Sequence, residues 1–122
     1  MSTQPNQSLY MLLLHQPHPG PGPTPEELRH IMARFGEWMV ALRAKGIVAG
    51  NNGLENAGKV LRGHRGATVT DGPYSETKEI VGGYILIKAG NLDEAVEIAR
   101  DCPGLDYHLA IEVRPINQRR ED

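Results

Sequence analysis

The run Leu9-Tyr10-Met11-Leu12-Leu13-Leu14-His15 places the first constraint on this chain. It is too short to cross a bilayer and almost unbroken by polar residues, which is the pattern of a central strand covered on both faces within a sheet. Something must therefore lie over each face. The polar stretch 1–8 before it reads as a tail and lacks the basic-then-apolar order of a signal peptide. After it, Pro17, Pro19, Pro21 and Pro23 interleave with Gly20 and Gly22, so Gln16 to Pro23 is a loop that neither continues a ladder nor starts a helix.

Helix signals begin directly after that loop. Thr24 is a good N-cap, Pro25 suits the first helical position, and Glu27 completes a capping box with Thr24. Leu28, Ile31, Met32, Phe35, Met39 and Leu42 recur at spacings of three and four, giving an apolar stripe that reads as core and ends at Lys45-Gly46. Trp38 lies near the edge of that stripe, where a large ring packs at a rim or against a second subunit. A second helix is expected from Asn91 as N-cap with Glu94 at the capping-box position; Ala95, Ile98, Ala99 and Cys102 form its buried stripe, and Pro103-Gly104 stops it.

Between the helices the chain is β-prone. Ile47 to Gly50 reads as a short strand, and Asn51-Asn52-Gly53 as a turn-rich stretch. Lys59 to Arg62 and Ala67 to Thr70 form a hairpin around the exposed tip Gly63-His64-Arg65-Gly66. Gly82-Gly83 interrupts the run that continues through Tyr84 to Ile87, as at a bulge or a close backbone approach. The last strand, Leu109 to Arg114, alternates Leu109, Ile111 and Val113 with Ala110, Glu112 and Arg114. The order is strand, helix, strand, hairpin, strand, helix, strand, which fits two βαβ halves with an inserted hairpin. Two helices cover one face of such a sheet, and the other needs a partner, so a homodimer is expected.

One segment looks like a site. Asp71-Gly72-Pro73-Tyr74-Ser75-Glu76-Thr77-Lys78-Glu79 packs turn chemistry, an aromatic ring and five ionisable side chains between two strand-like runs, and its Gly-Pro step makes the chain bend. If the chain is extended, Glu76, Lys78 and Ile80 share one face while Thr77, Glu79 and Val81 take the other. The plain alternative is a polar connection with solvated charges.

That string, followed by Gly82-Gly83-Tyr84, by Asn91-Leu92-Asp93-Glu94-Ala95 and by Ile111-Glu112-Val113-Arg114-Pro115, resembles the YCII-related family, specifically its DGPF-type branch, over Leu9 to Ile116. Tyr74 stands where the branch usually has Phe. The resemblance implies an α+β, ferredoxin-like domain of the dimeric α/β-barrel type, with an antiparallel sheet, two helices on one face and a pocket between two copies. On this reading residues 9–116 are the domain, and 1–8 and 117–122 are tails. The better-studied YCII branch is associated with a His-Asp pair in the region of the first helix; the corresponding positions here fall near Phe35 and Ala44, which cannot do that work.

Candidate chemistry therefore rests on other residues. Asp71, Glu76 and His15 are the candidate catalytic groups, and Tyr74, Lys78, Glu79, Glu112 and Arg114 the candidate ligand-binding ones. Glu112 and Arg114 share one side of the last strand, where a carboxylate and a guanidinium hold a polar ligand or pair with each other or with Lys78. His15 closes the first strand and serves as a general base if it faces the same cavity; otherwise it is a rim residue. His15 and His18 have no Cys or nearby carboxylate in sequence to complete a metal site, His30 lies off the apolar stripe, and His108 has no partner identifiable by spacing. Cys102 reads as inert packing, and as a single cysteine it forms no intramolecular disulfide. No Ser-His-Asp, Walker, Rossmann or zinc-ligand pattern is present, so no cofactor is expected.

Composition narrows the partners. With 39% hydrophobic and 23% charged residues the chain is an ordinary globular protein, and a formal charge of −2 gives no basic field for nucleic acid or anionic membrane. A cytoplasmic location is the default. Two functions stand: binding of a small polar molecule at the dimer pocket with lyase-like or other acid-base chemistry, or, as the resemblance implies, an accessory module associated with an extracytoplasmic-function sigma factor.

Overall fold

Thr24 starts the first helix as its composition predicts: its hydroxyl accepts from the Glu27 N–H at 3.1 Å, and the Glu27 carboxylate accepts from the Thr24 N–H at 2.9 Å. This computed structural model describes residues 7–17, 22–73 and 79–117. The elements are β1 (Ser8–Pro17), α1 (Pro25–Ala44), β2 (Val48–Gly53), β3 (Gly58–Arg62), β4 (Thr68–Gly72), β5 (Glu79–Ala89), α2 (Leu92–Arg100) and β6 (Ala110–Pro115). Asn91 caps α2 by accepting from the Glu94 N–H at 2.8 Å. The expected box is not closed reciprocally, because the Glu94 carboxylate takes the N–H of Gly90 instead.

Four strands form one sheet in the order β2-β5-β1-β6, with every neighbouring pair antiparallel. The strands flanking α1 are separated by β5, and those flanking α2 by β1, which is the split βαβ connectivity of a ferredoxin-like α+β fold. Both helices lie on one face. Tyr10 and Leu12 of β1 and Ile85, Ile87 and Ala89 of β5 pack there with Trp38, Met39 and Leu42 of α1 and Ala95 and Ala99 of α2. Leu12, Ile85 and Ile87 are fully buried, so β1 and β5 form the centre of the core as the apolar run of β1 requires.

The packed side of α1 differs from the expected stripe. Trp38 is buried rather than at a rim, with its ring centroid 5.6 Å from that of Phe35, whereas Leu28 and Met32 are 47% and 59% exposed. The large indole rotates the buried face towards itself, leaving Met32 on the flank. The middle of α1 meets a 3₁₀ turn at Pro103–Tyr107, where the Arg34 guanidinium lies 3.2 Å from the Asp106 carboxylate and 6.0 Å from the centre of the Tyr107 ring.

The β3–β4 hairpin is a separate two-stranded sheet. Its tip contains Arg65 at φ 55° and Gly66 at φ 65°, and a Cβ on Gly66 would stand 2.8 Å from the Leu61 side chain, so glycine is required there. Asp71 is not in the bend, as its sequence context suggests, but inside β4 opposite Lys59. The ladder holds through Gly72, and the cis bond to Pro73 follows it.

Gly82 forms the expected bulge. Leu14 pairs with Gly83 but the next residue, His15, pairs with Val81, so Gly82 is left without a partner in that register. Its carbonyl accepts from the Leu54 N–H at 2.9 Å. Beside it, a Cβ on Gly83 would lie 3.0 Å from the Asn52 carbonyl and 3.3 Å from Gly53 Cα, the close backbone approach that this glycine permits. No helix among the described residues is long and apolar enough to cross a membrane.

Candidate functional site

The sheet face away from the helices carries Met11, Leu13 and His15 from β1, Tyr84 and Leu86 from β5, and Glu112 and Arg114 from β6, by the two-residue alternation of each strand. The bulge adds two more. On β5 the even-numbered Tyr84 and Leu86 face this side, but beyond Gly82 the parity reverses, so Val81 and Glu79 join the His15 face while Ile80 is buried on the other. Without the extra residue Glu79 would point towards the helix layer.

His15 is thereby set between two carboxylates. Its Nε2 lies 2.9 Å from Glu112 Oε1, and its Nδ1 lies 3.6 Å from Glu79 Oε1. Glu112 Oε2 lies 3.8 Å from Arg114 Nη1, so a line of charged groups crosses β6, β1 and β5. The imidazole is 22% exposed, and the Glu112 and Glu79 side chains are 46% and 50% exposed. An ionised carboxylate only accepts hydrogen bonds, so the ring donates Nε2–H to Glu112. Nδ1 is beyond hydrogen-bond distance of Glu79 and is the nitrogen left to meet a bound molecule. The arrangement suits uptake and return of a proton by an oriented imidazole. It does not suit one metal ion, because the two carboxylates address opposite nitrogens of the ring and do not converge.

A shallow cleft of roughly 270 Å³ adjoins this cluster between the start of β5 and the hairpin. Leu54, Val60, Pro73, Ile80 and Val81 wall it, together with Glu55, Asn56 and Glu79. Glu79 is thus common to the cleft and to His15.

Of the residues singled out from sequence, the structure brings together His15, Glu79, Glu112 and Arg114. Asp71 stands elsewhere: it lies on the outer side of the hairpin, 87% exposed, with its carboxylate 2.5 Å from Lys59 Nζ. Tyr74, Glu76, Lys78 and His18 lie outside the described residues. His30 is exposed on α1, and exposed His108 adopts a left-handed φ of 72° before β6. Phe35 packs on Trp38, on the helix side of the sheet. Cys102 is 2% exposed; burial pushes its thiol up, partly opposed by a backbone hydrogen bond from Gly104. The convergence of both glutamates on His15 was not visible in sequence, although Gly82-Gly83 marked the place where the strand parity changes.

A YCII-related domain matches residues 9–118. An uncharacterized protein of Rhizobium meliloti (strain 1021) is 42% identical over 62 residues, covering 49% of this chain and 50% of that protein. The chain thus spans about half the length of that relative. Since the domain match runs from the start of β1 to just beyond β6, this chain belongs to the YCII-related family.

Proposed function

We propose that the chain binds a small polar molecule over the sheet face that carries His15, and that the His15–Glu112 pair exchanges a proton with it. The supporting observation is the imidazole fixed through Nε2 by Glu112 while Nδ1 stands clear of a hydrogen bond. Glu112 is held in turn beside Arg114, so the base has an orienting group and that group has its own neighbour. Proton removal from a carbon or hydroxyl next to a polarised bond is the step that lyase-like chemistry needs and that such a pair supplies. In this reading a second copy lies across the open face and encloses the ligand, and the chain belongs to the DGPF-type branch of its family.

A metabolite thermal-shift screen on the whole chain, followed by proton-exchange measurements in D₂O on each ligand found, tests the proposal. Deuterium should enter the bound ligand, and His15→Asn should slow that entry by about 10²- to 10⁴-fold, the usual contribution of one positioned base. Equal exchange in wild type and in a folded His15→Asn variant would remove His15 from the chemistry.

A further inference from the structure

We infer that the cleft between β5 and the β3–β4 hairpin seats a small ligand with an apolar body and a positively charged, ammonium-type head directed at Glu79. The inference rests on the proposal above for what happens to the bound molecule, but the seat stands on the cleft itself. Its walls at Leu54, Val60, Pro73, Ile80 and Val81 are apolar. A volume of roughly 270 Å³ is below the usual range of about 300–1,000 Å³ for drug-sized ligand sites, and so admits a single ring or a short alkyl chain.

The sign of the head follows from the charged groups. Among the described residues, both ionisable groups lining the cleft, Glu55 and Glu79, are acids. Of the cations on the described strands, Lys59 pairs with Asp71 and Arg114 lies beside Glu112 on β6. An anionic head would meet two carboxylates with no compensating cation among the described lining residues, whereas an ammonium would donate a charge-assisted hydrogen bond to Glu79. Because Glu79 Oε1 is 3.6 Å from His15 Nδ1, a head held there lies beside the ring nitrogen that Glu112 leaves available. The substrate class this geometry fits is small primary amines with one apolar substituent.

Benzylamine, benzyl alcohol and benzoate share one ring and differ in head-group charge, so they separate the charge from the body. Each is titrated into the isotope-labelled whole chain at pH 7 and followed by amide resonances. Benzylamine should shift Val60, Ile80 and Val81 saturably and bind at least about tenfold tighter than benzoate, with benzyl alcohol between them. Glu79→Gln should reduce the amine-to-acid ratio to within about twofold, while Val60→Trp, which fills the cleft, should abolish binding of all three. Benzoate binding as well as benzylamine, saturable shifts that map away from the cleft, or no saturable shift with any probe would overturn the inference. Intact benzylamine binding alongside absent proton exchange would be a failure of the acid-base proposal alone.

Discussion

His15 Nε2 and Glu112 Oε1 meet at 2.9 Å although 97 residues separate them in sequence. They sit on neighbouring strands, with Ala110 opposite His15 and Glu112 diagonal to it on the same face. The bond fixes which nitrogen carries the ring proton. In wild type the neutral imidazole should show the Nε2–H pattern in long-range proton–nitrogen spectra, and Glu112→Ala should give a mixture of tautomers. Because the pair is partly solvated, the same change should alter stability by only about 0–1 kcal/mol. An unchanged tautomer in Glu112→Ala would show that the carboxylate does not orient the ring.

The bulge supports a ranking of two adjacent glycines. Gly83→Ala puts a methyl group against the Asn52 carbonyl and Gly53 Cα, both backbone atoms of the paired strand β2. That collision is relieved only by moving the strands and should cost about 1–3 kcal/mol. Gly82→Ala meets the end of the Gln16 side chain, which can swing aside, so its cost should be below about 1 kcal/mol. Urea denaturation of the two variants checks the order, and a larger loss for Gly82→Ala would contradict the packing described.

Which parts of this were legible in sequence follows from the range of the forces involved. The capping box at Thr24 and Glu27 and the strand alternation around Glu112 are local, so residue spacing reveals them. Gly82-Gly83 announced a bulge, but which side chains a bulge carries across the sheet depends on the register against β1, and that is set by tertiary pairing. Hence Glu79 was recognisable as a candidate while its approach to His15 was not. The same limit explains Trp38: periodicity marks an apolar side of α1, and the choice between Trp38 and Met32 is made by what packs beneath the helix.

That choice can be tested by truncation. Leu42 is 5% exposed in the core, and Leu42→Ala should cost about 2–5 kcal/mol; Met32→Ala, at a side chain 59% exposed, should cost less than about 1 kcal/mol. Thermal or urea unfolding of both variants provides the comparison. Equal losses would return Met32 to the buried stripe.

Cys102 supplies a pH dependence whose sign is fixed by its surroundings. Desolvation raises the thiol in the folded chain, so the native state holds its proton more tightly than the unfolded state does. The stability linked to this group is complete below the unfolded thiol value of about 8.5 and is lost as pH rises through the folded value. Wild type should therefore lose more stability than Cys102→Ala between neutral and strongly alkaline pH. A thiol reagent should label the native protein slowly at neutral pH and the urea-unfolded protein at once. Rapid native labelling would contradict the burial.

The open sheet face carries the last prediction. Leu13 pairs in register with Tyr84, and Met11 with Leu86, so four apolar or aromatic side chains form a continuous patch across the two central strands. None of them is buried within the single chain, and no helix among the described residues covers them. In the proposed homodimer a second copy covers this patch sheet to sheet, which satisfies the two-sided apolar pattern of β1 without a third helix. Leu13→Lys places a charge at the centre of that contact and should yield a monomer with unchanged secondary structure, because the helix-side core is untouched. Sedimentation equilibrium at micromolar concentration distinguishes the forms, with wild type expected at twice the chain mass and Leu13→Lys at the single-chain mass. A monomeric, fully folded wild type would sink the dimer, and a dimeric Leu13→Lys would place the interface on another surface.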